Sequence, residues 1–215
     1  MTALALAAWI AASPTITSLI GPVDTALAPA LANFLLDHPD AAADILRSRG
    51  LAPYRVTPLG PGRWSADDGR GMTGTVTLLE KSSDGRVFVA EGIVDRPHRP
   101  ALRAAVLIRM RLVPSSEGCR PAIRTSYEVS VRLRNPLLSL LLKSMRRFLA
   151  HSAEAKFSRA FTAAGKLGEL AAAQPDALFA EIAAHPGLSA AERSAVRALE
   201  AQSRAAAGRC PALPR

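Results

Sequence analysis

The chain has 215 residues, 49% of them hydrophobic and 21% charged, a composition that excludes an intrinsically disordered protein. Its net charge is +9, and because the first 46 residues contain no Lys or Arg, residues 47–215 carry +13, which favours anionic partners such as phospholipid headgroups. Only 5% of the residues are aromatic and no helix-turn-helix, zinc-finger or RNP motif occurs, so nucleic acid is not an expected partner.

The first 32 residues form an apolar segment. Its start, MTALALAAWIAASP, is similar to the apolar region of a signal peptide but lacks the usual positive charges before it. Pro14, Gly21-Pro22 and Pro29 interrupt the apolar run, so no unbroken stretch of about 20 residues could cross a membrane. The segment is an atypical export signal, a membrane-leaning anchor, or a helix packed on the body. The first two interpretations favour an exported or membrane-peripheral location over the cytoplasm.

Residues 33–49 are predicted to form a helix. Asp37 is the expected N-cap, Pro39 fits the first turn and Gly50 ends the helix. The following stretch, rich in proline and glycine, predicts loops with short extended pieces at 54–56 and 63–65. Within it, Asp67-Asp68-Gly69 is typical of a turn rather than of a catalytic carboxylate pair.

A change to a period of two then predicts antiparallel strands, five or six in all. Residues 72–80 and 86–94 form a hairpin around the loop 82–85, and the clearest alternation runs through 103–112 and 123–134. One face of these strands is apolar, which we call the inner face, and the other carries many arginines. Glu128 falls on this outer face, where we expect it to join a cross-strand lattice of charges with the arginines.

A long amphipathic helix is predicted over residues 135–170. Asn135-Pro136 is a good start for it, and an apolar stripe follows in steps of three and four, beginning at Leu138 and Leu142. Such a helix would be about 50 Å long and would cover the inner face of the sheet. Two shorter helices are predicted at 175–184 and 189–207, the second beginning with a capping box of Ser189 and Glu192.

This order of elements, a helical section, a run of antiparallel strands and a long C-terminal helix, resembles the helix-grip fold of the START-like superfamily. That superfamily includes lipid-transfer domains, polyketide cyclase and dehydratase-like proteins, and coenzyme Q-binding proteins. The resemblance covers about residues 35–173 and implies an α+β fold in which a twisted antiparallel sheet wraps the long helix around a ligand cavity. It divides the chain into an N-terminal segment (1–32), a helix-grip domain (33–173) and a helical extension (174–215).

We therefore expect the chain to bind or transfer a hydrophobic or lipid-like molecule between the sheet and the long helix, near an anionic membrane and without catalysis. The residues expected to line the cavity are Val76, Leu78, Glu91, Val106, Ile108, Met110, Tyr127, Val129, Met145, Leu149 and Phe157. A basic cluster beside the leucine-rich start of the long helix is expected to face the membrane: Lys143, Arg146 and Arg147.

Two alternatives remain open. One is a cyclase or dehydratase-type enzyme whose cavity carboxylate is Glu91, paired with Tyr127 or a histidine. The other is a structural module at a membrane surface, with a filled core. His98 and His151 have no recognisable carboxylate partner, and Cys119 and Cys210 lack metal-ligand spacing, so no catalytic residue, metal or cofactor is expected. The two cysteines could pair in an oxidising compartment or remain unpaired thiols.

Overall fold

A computed structural model of the chain describes residues 1–96, 99–117, 120–134 and 162–207. It has an α+β architecture, as the sequence predicts. In chain order the elements are α1 (Ala3–Ala12), β1 (Ile16–Thr25), α2 (Pro29–Asp37), α3 (Pro39–Ser48), β2 (Arg55–Gly60), β3 (Arg63–Asp67), β4 (Met72–Lys81), β5 (Gly85–Arg96), β6 (Arg99–Glu117), β7 (Arg120–Leu133), α4 (residues 162–173), α5 (Pro175–Ala184) and α6 (Ala190–Ala207).

The strands form one seven-stranded antiparallel sheet in the order β1-β7-β6-β5-β4-β3-β2. Strands β2 to β7 follow one another as neighbours, and the predicted hairpin of β4 and β5 is confirmed. Strand β1 was not predicted. It lies at the edge beside β7, with Ile16 opposite Val131, and its register shifts between Ile20 and Val23. This irregularity breaks the alternation that would have marked the strand in the sequence.

The register assigns every strand residue to one of two faces. Across the inner face, Trp64, Val76, Ala90, Val106 and Val131 form one row of directly opposed residues. Residues directly opposed in an antiparallel pair lie on the same side of the sheet, so neighbouring residues in each strand belong to the outer face. The predicted division of strands β6 and β7 into an apolar and an arginine-rich face is confirmed.

Helices pack against one end of the inner face. Buried residues of α2, α3, α4, α5 and α6 form a single apolar cluster with Leu112 of β6 and Ile123 of β7. The predicted helix 33–49 is instead two helices, because the chain turns at His38 before Pro39. His38, not Asp37, occupies the N-cap position of α3, and Asp37 instead bonds to side chains of the β4–β5 hairpin.

Helix α1 packs on the opposite, outer face of the sheet. Leu6 and Ile10 are buried there against Val89, Ala105 and Leu107. Arg132 lies over the Trp9 ring, 3.9 Å from its centroid, and donates a hydrogen bond to the Trp9 carbonyl. The sequence predicted a polar, arginine-rich outer face and left open whether the N-terminal segment packs on the body; the structure shows α1 and part of this face forming a second apolar layer.

The C-terminal helices agree with the predictions where the structure describes them. Residues 162–173 are helical and Leu167 is buried in the inner-face cluster, whereas residues 135–161 of the predicted long helix lie outside the described residues. The capping box of α6 is confirmed: the Ser189 amide donates to a Glu192 carboxylate oxygen at 2.6 Å, and the Glu192 amide donates to Ser189 Oγ at 3.3 Å. None of the described helices has the length and apolar character needed to span a bilayer.

Candidate functional site

The inner face brings together seven of the residues expected to bind a ligand. Val76 and Leu78 of β4 lie across the sheet from Phe88 and Ala90 of β5, and the row continues through β6 and β7. Six of the seven are only half-buried, and Val129 is buried. They are Val76, Leu78, Val106, Ile108, Met110, Tyr127 and Val129. The centre of this face is therefore a broad apolar surface, less covered than the end where the helices pack.

A row of very small residues borders this apolar surface. Ala66, Gly74, Gly92 and Ala104 stand directly opposite one another on β3, β4, β5 and β6. Gly74 is required by close backbone approach, because a Cβ there would contact the Glu91 carbonyl oxygen. Glycine and alanine in a strand allow a ligand or another backbone to approach the sheet closely.

Arg86 is an inner-face residue that our sequence analysis did not single out. Its side chain is 1% exposed and stands in register opposite Met110. The guanidinium donates to the carbonyls of Ser82 and Gly85 and to Asn33 Oδ1 of α2, and lies 3.4 Å from an Asp37 carboxylate oxygen. The alternation gave a signal, since an arginine two residues before Phe88 must share its face.

Tyr127 brings a polar group to the inner face. Burial raises the pKa of the Tyr127 phenol from its usual value of 10.0 to about 12, and a hydrogen bond with Thr125 acts in the opposite direction. The hydroxyl therefore stays protonated across the physiological range.

We expect a Tyr54→Phe variant, which leaves Tyr127 as the only tyrosine, to form phenolate with a midpoint near pH 12 in the ultraviolet absorbance. The folded-state pKa is higher than the unfolded-state pKa. The protonated Tyr127 phenol therefore contributes to the free energy of unfolding in full below about pH 10. This contribution is lost as the pH rises toward 12. The same variant unfolded in urea should titrate near pH 10, and a folded midpoint near 10 would contradict the burial of Tyr127.

Glu91 does not belong to the inner face, and its expected inward orientation is wrong. It stands opposite Ala105 on the outer face and pairs with the Arg134 guanidinium. Alternation is ambiguous here because β5 is apolar on both sides: Val87 and Val89, which share a side with Glu91, pack with α1 on the outer face.

Other expectations near the sheet are confirmed. Glu128 pairs with Arg109 at 3.2 Å on the outer face, as the charge lattice required. The Asp67-Asp68-Gly69 stretch is a turn, in which the Gly69 amide donates to Asp67 Oδ1 at 2.7 Å and Gly69 has a φ of +66°. These carboxylates therefore have a structural role in the turn.

Several predicted residues lie outside the described residues. They are Met145, Leu149 and Phe157 of the cavity lining, Lys143, Arg146 and Arg147 of the basic cluster, and His98, His151, Cys119 and Cys210. Among the residues that are described, no group of three or more His, Cys, Asp or Glu is arranged to hold a metal ion.

Comparison of the chain with family models, with curated proteins and with solved structures gives no match. The function of this protein is therefore inferred from the geometry of its own chain.

Proposed function

We propose that this protein binds, and transfers between membranes, a hydrophobic or lipid-like molecule held against the inner face of its sheet. The observation that carries the proposal is the half-buried apolar centre of that face, from Val76 to Ile108, beside the row of small residues that includes Gly74 and Ala104. Removing apolar ligand surface from water is worth about 25 cal/mol per Å², so such a face can retain a ligand without any charged contact.

The order of elements supports a helix-grip arrangement as part of the proposal. Strand β1 precedes α2 and α3, six further antiparallel strands follow, and helix α4 comes after the sheet. In the START-like superfamily that our sequence analysis identified as similar, a cavity between the sheet and the C-terminal helix takes an apolar or amphipathic ligand. Fold resemblance alone does not establish function, so the proposal depends on the inner face itself.

A cyclase or dehydratase activity has less support. Its proposed carboxylate, Glu91, is on the outer face in an ion pair with Arg134, where it cannot act on a molecule at the inner face. Of the groups in that hypothesis that the structure describes, the Tyr127 hydroxyl lies on the inner face.

Native mass spectrometry of protein purified from its own membrane-containing lysate, followed by extraction of bound small molecules, tests the proposal. We expect a stoichiometric apolar metabolite or lipid. A clean apo mass that no lipid mixture changes would refute ligand binding and favour a structural module.

A variant pair locates the ligand. Ala104→Phe places a large ring in the row of small residues, where it would compete with the ligand for the same space. Steric overpacking costs about 1–3 kcal/mol, so retention of the ligand should fall by about tenfold. Val113→Phe is the matched control, because Val113 is exposed and stands opposite Arg124 on the other side of the same strand. Equal retention by both variants would show that the ligand does not occupy the inner face.

A further inference from the structure

Helix α1 is apolar on every side, yet it covers the sheet with only one of them. Leu6 and Ile10 are buried beneath it, whereas Leu4 is 69% exposed and Ala5 and Ala8 are exposed with it. Helices that are apolar all round normally lie inside a protein or in lipid. Among the described residues, none packs on the solvent side of α1, which is thus an exposed apolar surface.

Arginines flank α1 on the strands beneath it. On β6, Arg103 precedes and Arg109 follows the two residues that α1 buries, Ala105 and Leu107. On the outer side of β6, β7 and the residue after β7, the arginines whose side chains the structure describes are Arg103, Arg109, Arg111, Arg124, Arg132 and Arg134. Three of these six pair with the acidic residues Glu128, Asp24 and Glu91, and Arg132 lies over the Trp9 ring.

Two of these arginines are unpaired within the described part of the chain. Arg103 and Arg111 are exposed and have no carboxylate within ion-pair distance. A depression of about 350 Å³ at the β1, β7 and β6 strands is lined by Arg109, Arg111, Ser126 and Glu128 together with the apolar Leu19, Ile20 and Met110, and by Gly21 and Tyr127. Arg109 is paired there with Glu128, so Arg111 is the guanidinium that can bind a phosphate group.

We infer that the outer face, with the exposed side of α1 at its centre, docks on an anionic membrane, where Leu4 and Ala8 enter the interface and the arginines contact lipid phosphates. The inference deepens the proposed function, on which it rests for the membrane, by naming the docking surface. Apolar groups surrounded by basic residues bind bilayers through apolar burial and attraction to anionic lipid together. A second copy of the chain fits less well, because two such faces would bring their exposed arginines together.

Cosedimentation with phosphatidylcholine vesicles, with and without phosphatidylglycerol, tests the surface. The full chain should bind the anionic vesicles more tightly than the neutral ones, and added salt should weaken binding. Leu4→Glu should weaken binding by at least about tenfold, because a leucine buried in an apolar phase is worth about 1.5–3 kcal/mol. Ala198→Glu, at an exposed position of α6 on the other side of the sheet, is the control and should bind as the parent does.

The charge component has its own pair of variants. Arg103→Gln/Arg111→Gln breaks no ion pair, so the fold should persist while binding to anionic vesicles falls by about fivefold for each arginine. Arg193→Gln/Arg197→Gln on α6 removes the same charge from the opposite side and should have a smaller effect.

The vesicle and mass-spectrometry experiments test the docking surface and the carrier function separately. If the parent binds no anionic vesicle, the membrane inference is overturned, while ligand retention in mass spectrometry would still support the carrier function. If the parent binds but Leu4→Glu and Ala198→Glu bind equally well, the outer face is not the docking surface.

Discussion

Replacing Arg86 by alanine is expected to lower the free energy of unfolding by about 3 kcal/mol, measured by urea denaturation. Arg86 is 1% exposed, and its guanidinium joins the β4–β5 turn to Asn33 and Asp37 of α2. Truncation would remove the donors that the guanidinium supplies to the Ser82 carbonyl and to Asn33 Oδ1, and would leave space where the buried side chain lay. Unsatisfied buried polar groups cost about 1–3 kcal/mol each.

Lys81→Ala is the matched control for Arg86→Ala. Lys81 pairs with the same carboxylate, Asp37, at 2.6 Å, but its side chain is 53% exposed. Exposed ion pairs contribute about 0–1 kcal/mol, so this variant should be nearly as stable as the parent. If the two variants lost the same stability, the guanidinium network would not be the connection between the hairpin and α2.

Replacing Ile10 by alanine is also expected to cost about 3 kcal/mol, because it empties space between α1 and the sheet. Ile10 is 0% exposed and belongs to the apolar layer that contains Ala105 and Leu107. Urea denaturation measures this change in the free energy of unfolding, using protein in which residues 1–15 are present. A large loss would establish that α1 is an integral layer of the fold.

Leu4→Ala provides the comparison on the same helix. Leu4 is one of the most exposed large apolar residues described, so its truncation should change stability by less than about 0.5 kcal/mol. If Ile10→Ala were as mild as Leu4→Ala, α1 would not be packed on the sheet in solution. The membrane inference would then require a helix that detaches, rather than one held in place.

The alternation of β4 to β7 and the cap of α6 were predictable because their causes are local. In a strand with one apolar face, apolar residues recur at every second position. Once this period is recognised, it shows which side chains share a face. Val106, Ile108 and Met110 were therefore placed together correctly. Ser189 and Glu192 satisfy each other's backbone amides within one turn, so four residues of sequence suffice to predict these hydrogen bonds.

The same local rules failed where a strand is covered on both sides or lies at an edge. The alternation of β5 could not assign Glu91 to a face. Val87 and Val89, which α1 covers on the outer face, are as apolar as the residues of the inner face. Strand β1 has a shifted register at Ile20 and Val23, and it lies at the edge of the sheet, paired with β7 among the described strands. Edge strands with bulges show weak periodicity, so their pairing is decided by a distant part of the chain.

The sequence by itself determined the α+β class, the two faces of strands β6 and β7, and the positive charge that follows residue 46, since each depends on composition or on spacing within one element. Only the tertiary structure decided that α1 covers the outer face, that β1 closes the edge beside β7, and that Arg86 is buried against α2. These outcomes depend on contacts between segments far apart in the chain, whose net free energy is set by the completed packing rather than by any local pattern.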